Sequence, residues 1–400
     1  MKKINLFLAT AMAVSLVSAE SILKPINDQG YGTISGRIQS LTMYRDFDSK
    51  GANGANSTLG IVLGYTSPEI AGFDAGITYN YAGEIYDNNA SAILANDEVN
   101  ILNEGWIRYN FGAVSFSNTT VMAGRKINNG EVFRADDFRQ KARSLETVQL
   151  ETSDLPSTRA LVGHTGRMSN WIQAGDHWEF QNYGDVFSPI DSGINYNTDG
   201  VTWGEAVNNS IDKLEIALYD AYAWDIANLI GTRIQWDASD STSLVGYYRN
   251  EMDVGHNDAH ESNAFGLSLK QKLGAFSLEP GYFGVRGDDL LFQELTTGIN
   301  HALGASMELC SCQFAGGSDT AYLKAVTKMK STKTVLYALY NYTWHDKRPF
   351  DGQELNIIIK QPIVENLMIV YKGGIGYRSM KDGTPHTTDT DHRLFITYAF

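Results

Sequence analysis

Between Lys126 and Ser144 the chain reads KINNGEVFRADDFRQKARS, which crowds five basic and three acidic residues between two segments of alternating apolar and polar positions. No nucleophile elbow or metalloprotease motif occurs here or elsewhere in the chain, so covalent and metal chemistry have no starting point. What opposed acids and bases can do is electrostatic. Held at a narrowing, Arg134, Arg139, Lys141 and Arg143 set against Asp136 and Asp137, with Arg125 and Lys126 at the base, would create a transverse field that orients dipolar solutes. On a solvated surface the same residues would be an ordinary loop of mixed charge. The elements that hold the loop decide between the two.

Those elements alternate with period two, repeatedly, between turns. Phe265, Leu267, Leu269 and Leu273 alternate with Gly266, Ser268, Lys270 and Lys272. Leu355, Ile357 and Ile359 alternate with Glu354, Asn356 and Lys360. Along NLMIVYKGGIGYR, Leu367, Ile369, Tyr371, Ile375 and Tyr377 share one face, while Lys372, Gly374, Gly376 and Arg378 share the other. Eighteen strands are predicted, near 31–46, 56–66, 73–83, 99–111, 114–125, 145–153, 158–168, 197–208, 212–223, 228–237, 241–251, 261–273, 276–286, 319–329, 333–344, 353–361, 366–378 and 390–400.

The connections alternate in length. Tight turns at Ser67-Pro68-Glu69, Gly112-Ala113, Leu273-Gly274-Ala275 and Pro362-Ile363-Val364 form one set; long polar segments near 47–55, 84–98, 126–144, 169–196, 287–318 and 379–389 form the other. In a meander this puts the long loops at one end, an asymmetry that a soluble sandwich does not require and an outer-membrane barrel does. The expected fold class is therefore all-β, a transmembrane antiparallel up-and-down β-barrel of about eighteen strands with an inward-folded third loop. A barrel of that size leaves an aqueous lumen.

The first nineteen residues, MKKINLFLATAMAVSLVSA, combine Lys2 and Lys3, an apolar run and the small-residue sequence Val17-Ser18-Ala19, the three parts of a cleaved signal peptide. Residues 20–400 are then one transmembrane barrel domain of an exported protein. Past the signal no apolar stretch is long enough for a membrane-spanning helix. A mean hydropathy of -0.25 also suits a barrel, since half of each strand faces water. Removing Lys2 and Lys3 lowers the net charge from -14 to -16, and no basic face dominates, which excludes nucleic acid as a partner. Cys310 and Cys312, two residues apart, make at most a strained local ring and are read as incidental loop residues.

Strand parity places several cations on the polar face. Arg37 falls with Thr33, Ser35 and Gln39, Arg108 with Glu104 and Asn110, and Arg233 with Gln235. Lys360 falls with Asn356, and Lys372 with Arg378. A lipid-facing Arg or Lys at the midplane would cost about 2–4 kcal/mol, so these side chains are expected in the lumen as a basic ladder. Any one of them could be ordinary polar lining; the set is informative because the chain as a whole is acidic. The clusters His256-Asn257-Asp258-Ala259-His260-Glu261 and Asp389-Thr390-Asp391-His392 contain metal-ligand types, but such spacing does not by itself close a site, and no metal or other cofactor is expected.

The final run HRLFITYAF places Leu394, Ile396, Tyr398 and Phe400 on the lipid face and Arg393 and Thr397 inward. It resembles the terminal strand of bacterial outer-membrane proteins, which implies recognition by the barrel assembly machinery. A second resemblance rests on GRK at Gly124 to Lys126, Phe133, DDFR at Asp136 to Arg139, Leu145-Glu146 before VQLET, and RALVGHTGRMSNW from Arg159 to Trp171. These runs resemble the third-loop region of OprD-type porins of Gram-negative bacteria, although a Pro-rich portion often seen in that loop is missing. The resemblance implies an outer-membrane channel with a constriction formed by loop three and a basic ladder that guides carboxylates. The expected activity is passive diffusion of small hydrophilic solutes through a barrel surrounded by outer-membrane lipid and lipopolysaccharide; a homo-trimer stays open. Two rivals remain: a barrel enzyme such as a lipase or protease, whose Ser-His or Asp-His site is not found, and a plugged adhesin or structural protein.

Overall fold

Alternation at eighteen segments is resolved by pairing them edge to edge into one ring. The computed structural model describes residue 27 and residues 29–88, 98–115, 117–135, 139–170, 179–186, 197–255, 260–294, 307, 309 and 313–400. The strands are β1 (Thr33–Phe47), β2 (Ala52–Thr66), β3 (Phe73–Asp87), β4 (Glu98–Asn110), β5 (Thr119–Lys126), β6 (Ser144–Thr152) and β7 (Thr158–Ser169). A two-residue β8 (Gln181–Asn182) precedes β9 (Val201–Ile211), β10 (Leu214–Ala223), β11 (Ala227–Ser239), β12 (Thr242–Asp253), β13 (Glu261–Leu273) and β14 (Phe276–Gly287). The ring is completed by β15 (Ser318–Lys328), β16 (Val335–His345), β17 (Phe350–Val364), β18 (Leu367–Met380) and β19 (Thr387–Ala399).

Each strand pairs antiparallel with the next, β9 follows β7 around the ring, and β19 returns to β1. Gly36 and Phe400 exchange both backbone hydrogen bonds at 2.9 Å where the ring closes. Among the described residues every strand of the ring has a ladder on both sides, although Glu98–Glu104 of β4 extend beyond the end of β5; closing the ring is what a membrane demands of a sheet. Among the described residues the extra strand β8 pairs with Arg167 and Met168 at the end of β7.

The two faces have the polarity expected of a barrel in lipid. Leu63, Ile77, Ile107, Leu218, Leu267, Leu323 and Ile357 are exposed on the outside, whereas Thr58, Asn103, Ser262, Asn341 and Asn356 are buried inside. A water-soluble domain shows the reverse. Short turns at 67–72, 153–157, 212–213, 240–241, 274–275 and 365–366 define one rim, and β3, β5, β7 and β14 end at the other, where the longer connections begin.

The segment expected as a long loop near 47–55 is a four-residue turn, 48–51, with 52–55 in β2, and two further departures have a clear local cause. β5 starts at Thr119, not at 114, because 111–118 are held by local bonds: Asn110 Oδ1 accepts from the Gly112 amide at 2.9 Å, and Asp154 accepts from Ser117 Oγ and the Asn118 amide, each at 2.5 Å. The turn expected at Pro362-Ile363-Val364 is instead strand, with the reversal at 365–366. Proline has no N–H for the ladder, and the register slips between Pro362 and Val364.

The main apolar core lies within the ring. Val132 and Phe133 of the third long loop, Tyr183 of a single helical turn (Tyr183–Val186) and Leu291 and Phe292 of segment 288–317 pack on the wall residues Leu161, Val201, Trp203, Tyr219 and Leu229. Phe133 meets Trp203 edge-on with centroids 5.3 Å apart and Tyr183 at 6.4 Å. Three inward segments are thereby fused to one side of the wall.

Candidate functional site

The third long loop leaves β5 at a fixed point: Glu104 Oε1 accepts from the Ile127 amide and from Lys126 Nζ, both at 3.1 Å. Its tip then reaches β9 and β11. Glu205 Oε2 accepts the Glu131 amide at 2.7 Å and the Val132 amide at 3.3 Å, and Glu131 pairs with Arg233 at 2.6 Å. The returning limb reaches β1 and β2. Gln39 Nε2 donates to the Arg139 carbonyl at 2.8 Å, and Gln140 Nε2 donates to Thr58 Oγ1 at 2.7 Å. Counted around the ring, β1 is first and β11 tenth of eighteen, so the loop is tied to opposite walls. Gly60 permits this approach, since a Cβ there would collide with Gln140 Oε1.

The loop's charges are used unequally. Lys141 and Arg143 are buried and tie the loop to the next one: Lys141 Nζ donates to the Asn170 carbonyl at 2.5 Å, and Arg143 Nε to Asn170 Oδ1 at 3.3 Å. Arg134 is half-buried; Asp136 and Asp137 lie outside the described residues. Lys126 faces inward, 4.5 Å over the Trp106 ring. Arg125 does not: its register partners Gly105 and Glu146 put it on the face of Ile107 and Val148, the outward one.

A more basic group forms where the loop meets β1 and β19. Arg45 Nε lies 2.6 Å and Arg393 Nη2 2.9 Å from the same oxygen of Asp391. Arg139 lies close enough that burial first, then Arg45 and Arg393, hold its guanidinium well below its ordinary pKa, with Asp391 opposing. On the inward faces of β17, β18, β19 and β1 stand Lys360, Lys372, Arg378, Arg393, Arg37 and Arg45, against Glu354, Asp389 and Asp391. Arg378 is 3.7 Å from Asp389, and Lys372 lies 5.2 Å over the Phe395 ring. Four expected ladder residues, Arg37, Lys360, Lys372 and Arg378, thus share one wall. Sequence parity missed the Arg45 to Asp391 pairing, which depends on the closing register; the inward parity of Arg45 was its only trace.

Arg108 and Arg233 stand elsewhere. Arg108 is clasped by Asp74 at 2.6 and 2.9 Å near the short-turn rim. Arg233 borders a cavity of about 560 Å³ beside the loop tip, lined by Arg159, Arg233, Lys270 and Lys324 and by Glu131, Glu205, Glu215 and Glu279. Most of these charges are paired, Arg233 with Glu215 at 2.7 Å and Arg159 with Glu151 at 2.6 Å. The lumen therefore opposes an evenly mixed wall to a wall with excess positive charge.

Of segment 288–317, Leu291, Phe292 and Leu309 also reach inward, which sequence reading missed. Glu251 accepts the Leu291 amide at 2.6 Å, and Glu354 accepts the Leu309 amide at 2.6 Å. Gly374 leaves room for it: a Cβ there would come within 2.8 Å of Met307 Sδ and 2.9 Å of Leu309 Cδ1. Cys310, Cys312 and residues 256–259 lie outside the described residues. In the other metal-type cluster Asp389 and Asp391 point inward while His392 bonds Tyr371 on the outer face at 2.9 Å, so these side chains do not converge on one ion.

No family model and no curated protein matches the sequence. Solved structures do. OccK9 (OpdG) of Pseudomonas aeruginosa superposes with a TM-score of 0.75 at 14% identity, covering 92% of this chain and 98% of that one. OccAB4 of Acinetobacter baumannii gives 0.73 at 17% identity, covering 92% and 97%. A BenF-like porin of Pseudomonas fluorescens Pf-5 gives 0.73 at 14% identity, covering 92% and 98%. The chain has the fold of these porins. That likeness extends over nearly the whole barrel, while the side chains named above are this chain's own.

Proposed function

We propose that the protein is an outer-membrane porin: a water-filled channel through which small hydrophilic solutes diffuse passively, with a preference for those bearing a carboxylate. The observation that carries this is the third loop stretched between Arg233 on β11 and Gln39 on β1, which narrows the lumen beside the Arg45, Arg139 and Arg393 group. The apolar outer face and the closed backbone ladder support a membrane setting. A solute crossing the narrowing meets excess positive charge on one side and mixed charge on the other, an arrangement suited to a carboxylate at one end of a dipolar molecule. In this reading the half-buried Arg134 is the loop's attracting side chain, the buried Arg139 adds its charge from within the packed loop, and Asp136 and Asp137 are their opposing pair. The first nineteen residues are removed on export, the barrel assembly machinery reads the last strand, and lipopolysaccharide surrounds the finished barrel.

The test is single-channel recording in planar bilayers with a salt gradient. The expected result is a stable conductance whose reversal potential shows anion preference, weakened when Arg134 and Arg139 are replaced with Ala. Cation preference, or no conductance from folded protein, overturns the proposal.

A further inference from the structure

Outward aromatic residues mark most of the ring, and many bond a polar side chain on the neighbouring strand. Tyr79 donates to Asn100 at 2.5 Å, Trp224 Nε1 to Thr202 at 2.9 Å, Tyr248 to Asn263 at 2.8 Å and Tyr340 to Gln353 at 2.9 Å. Such side chains, apolar in body and polar at the tip, settle at the boundary between lipid and water. The single aromatics of β9 and β15, Trp203 and Tyr322, are instead buried on the inward face, and three consecutive strands carry no aromatic on either face. β5 (TTVMAGRK), β6 (SLETVQLET) and β7 (TRALVGHTGRMS) contain no Phe, Tyr or Trp, whereas every other strand of the ring contains at least one.

Toward the long-loop rim of these strands the outward positions hold charge instead. Arg125, Glu146 and Arg167 are register partners across β5, β6 and β7. Below them Val148 and Val162, 57% and 51% exposed, continue the apolar band. Glu146 Oε2 is 3.9 Å from Arg125 Nε and 3.4 Å from Arg167 Nη1, so one carboxylate stands between two guanidiniums at long range. Both arginines are held in place from the inner side. Arg125 lies 4.1 Å over the Phe180 ring with Nη1 3.5 Å from the Leu102 carbonyl, and Arg167 Nη2 donates to the Phe180 carbonyl.

Arginine does not give up its proton, and each guanidinium offers five N–H donors, of which these contacts use few. A fixed net positive charge facing outward at the rim of an apolar band favours an anion there, and phosphate accepts the two parallel N–H bonds of a guanidinium particularly well. We infer that the outward face of β5 to β7, through Arg125 and Arg167, docks the phosphate-bearing headgroup of a membrane lipid on the long-loop side of the bilayer. This rests on the membrane reading proposed above. Phe180 orients Arg125 for the contact, and Glu146 keeps the two arginines apart without neutralising both.

The experiment uses the full-length folded protein in neutral detergent and native mass spectrometry, with bisphosphorylated lipid A and its dephosphorylated form as probes. Wild-type protein is expected to retain the phosphorylated form at least about tenfold better, and Arg125→Gln with Arg167→Gln to abolish that difference while bilayer conductance is unchanged. Glu146→Gln, which leaves both arginines, is expected to raise retention. Equal retention of the two lipids by wild type, or undiminished preference in the double variant, overturns the inference. So does an assembly that the double variant splits into monomers without altering lipid retention, because the face would then join copies of this chain. Failure of the wild-type protein to conduct would count against the porin reading and leaves this comparison of lipids to be judged on its own outcome.

Discussion

Glu131 and Arg233 meet at 2.6 Å where the third loop touches β11, and Arg233 is also 2.7 Å from Glu215, so a wall arginine holds the loop tip through one of two carboxylates. Glu131→Gln leaves Arg233 its second partner and removes the loop's charged bond, costing about 1.5–3 kcal/mol of anchoring. Channel currents should become noisier, and trypsin should cut the loop at Arg134 faster than in wild type. Identical noise and cleavage rates would show that the tip is held by other contacts.

Phe133 supplies the apolar half of that anchor. Phe133→Ala removes a buried ring from between Trp203 and Tyr183 and should cost about 3–5 kcal/mol locally. The barrel should stay folded, because its ladder does not involve this residue, while conductance rises and the near-ultraviolet signal of Trp203 diminishes. Measuring both on the same preparation separates loop release from unfolding.

Charge on the β19 to β1 wall should govern ion preference. Arg45→Gln leaves Asp391 paired with Arg393 and should lower the anion-to-cation permeability ratio by up to about fivefold, the equivalent of about 1 kcal/mol between unit charges roughly 4 Å apart in water. The effect should shrink toward 1 M salt, where screening reaches about 3 Å. A ratio unchanged at low salt would remove this wall from the selectivity argument.

Gly60 is a test of loop placement from the opposite side. Gly60→Val should push Gln140 away from Thr58 and release the returning limb, with a loss of about 1 kcal/mol for the hydrogen bond. The readout is larger conductance with unaltered heat-modifiable gel mobility. Wild-type conductance would mean that Gln140 is dispensable to the narrowing.

Asp154 joins two short turns and has a definite pH signature. Its bond from Ser117 Oγ, followed by that from the Asn118 amide, holds its carboxyl below the ordinary range. A lowered folded-state pKa contributes stability above the unfolded value, and that contribution is lost as pH falls through the lowered one. The protection of the Asn118 amide, its exchange relative to the intrinsic rate at each pH, should therefore persist at neutral pH and fall only in strong acid, and Asp154→Asn should remove that change in protection.

Most of the ring could be read from residue order because strands of a membrane barrel repeat one simple rule: Leu267 out, Ser268 in, Leu269 out. Each of the eighteen expected segments corresponds to a strand, and the displaced start of β5 and the Pro362 region are places where side-chain capping or a missing N–H overrides alternation. The lumen was less legible. Arg37, Lys372 and Arg378 could be assigned inward by parity, yet their grouping on one wall required knowing that β19 pairs with β1. Arg125 shows the limit most clearly. A residue at the base of a charged loop looks like part of it, and only the register with Gly105 and Glu146 reveals that it faces away.

The mutual hydrogen bonds of Gly36 and Phe400 join residues nearly the whole chain apart. Contacts of such separation carry the largest loop-closure entropy and form slowly. The first strand must therefore wait, with its pairing groups open, until the last has been delivered. If the porin reading proposed above holds, the chain must stay unfinished until its last strand arrives, with β1 kept from pairing elsewhere for that long.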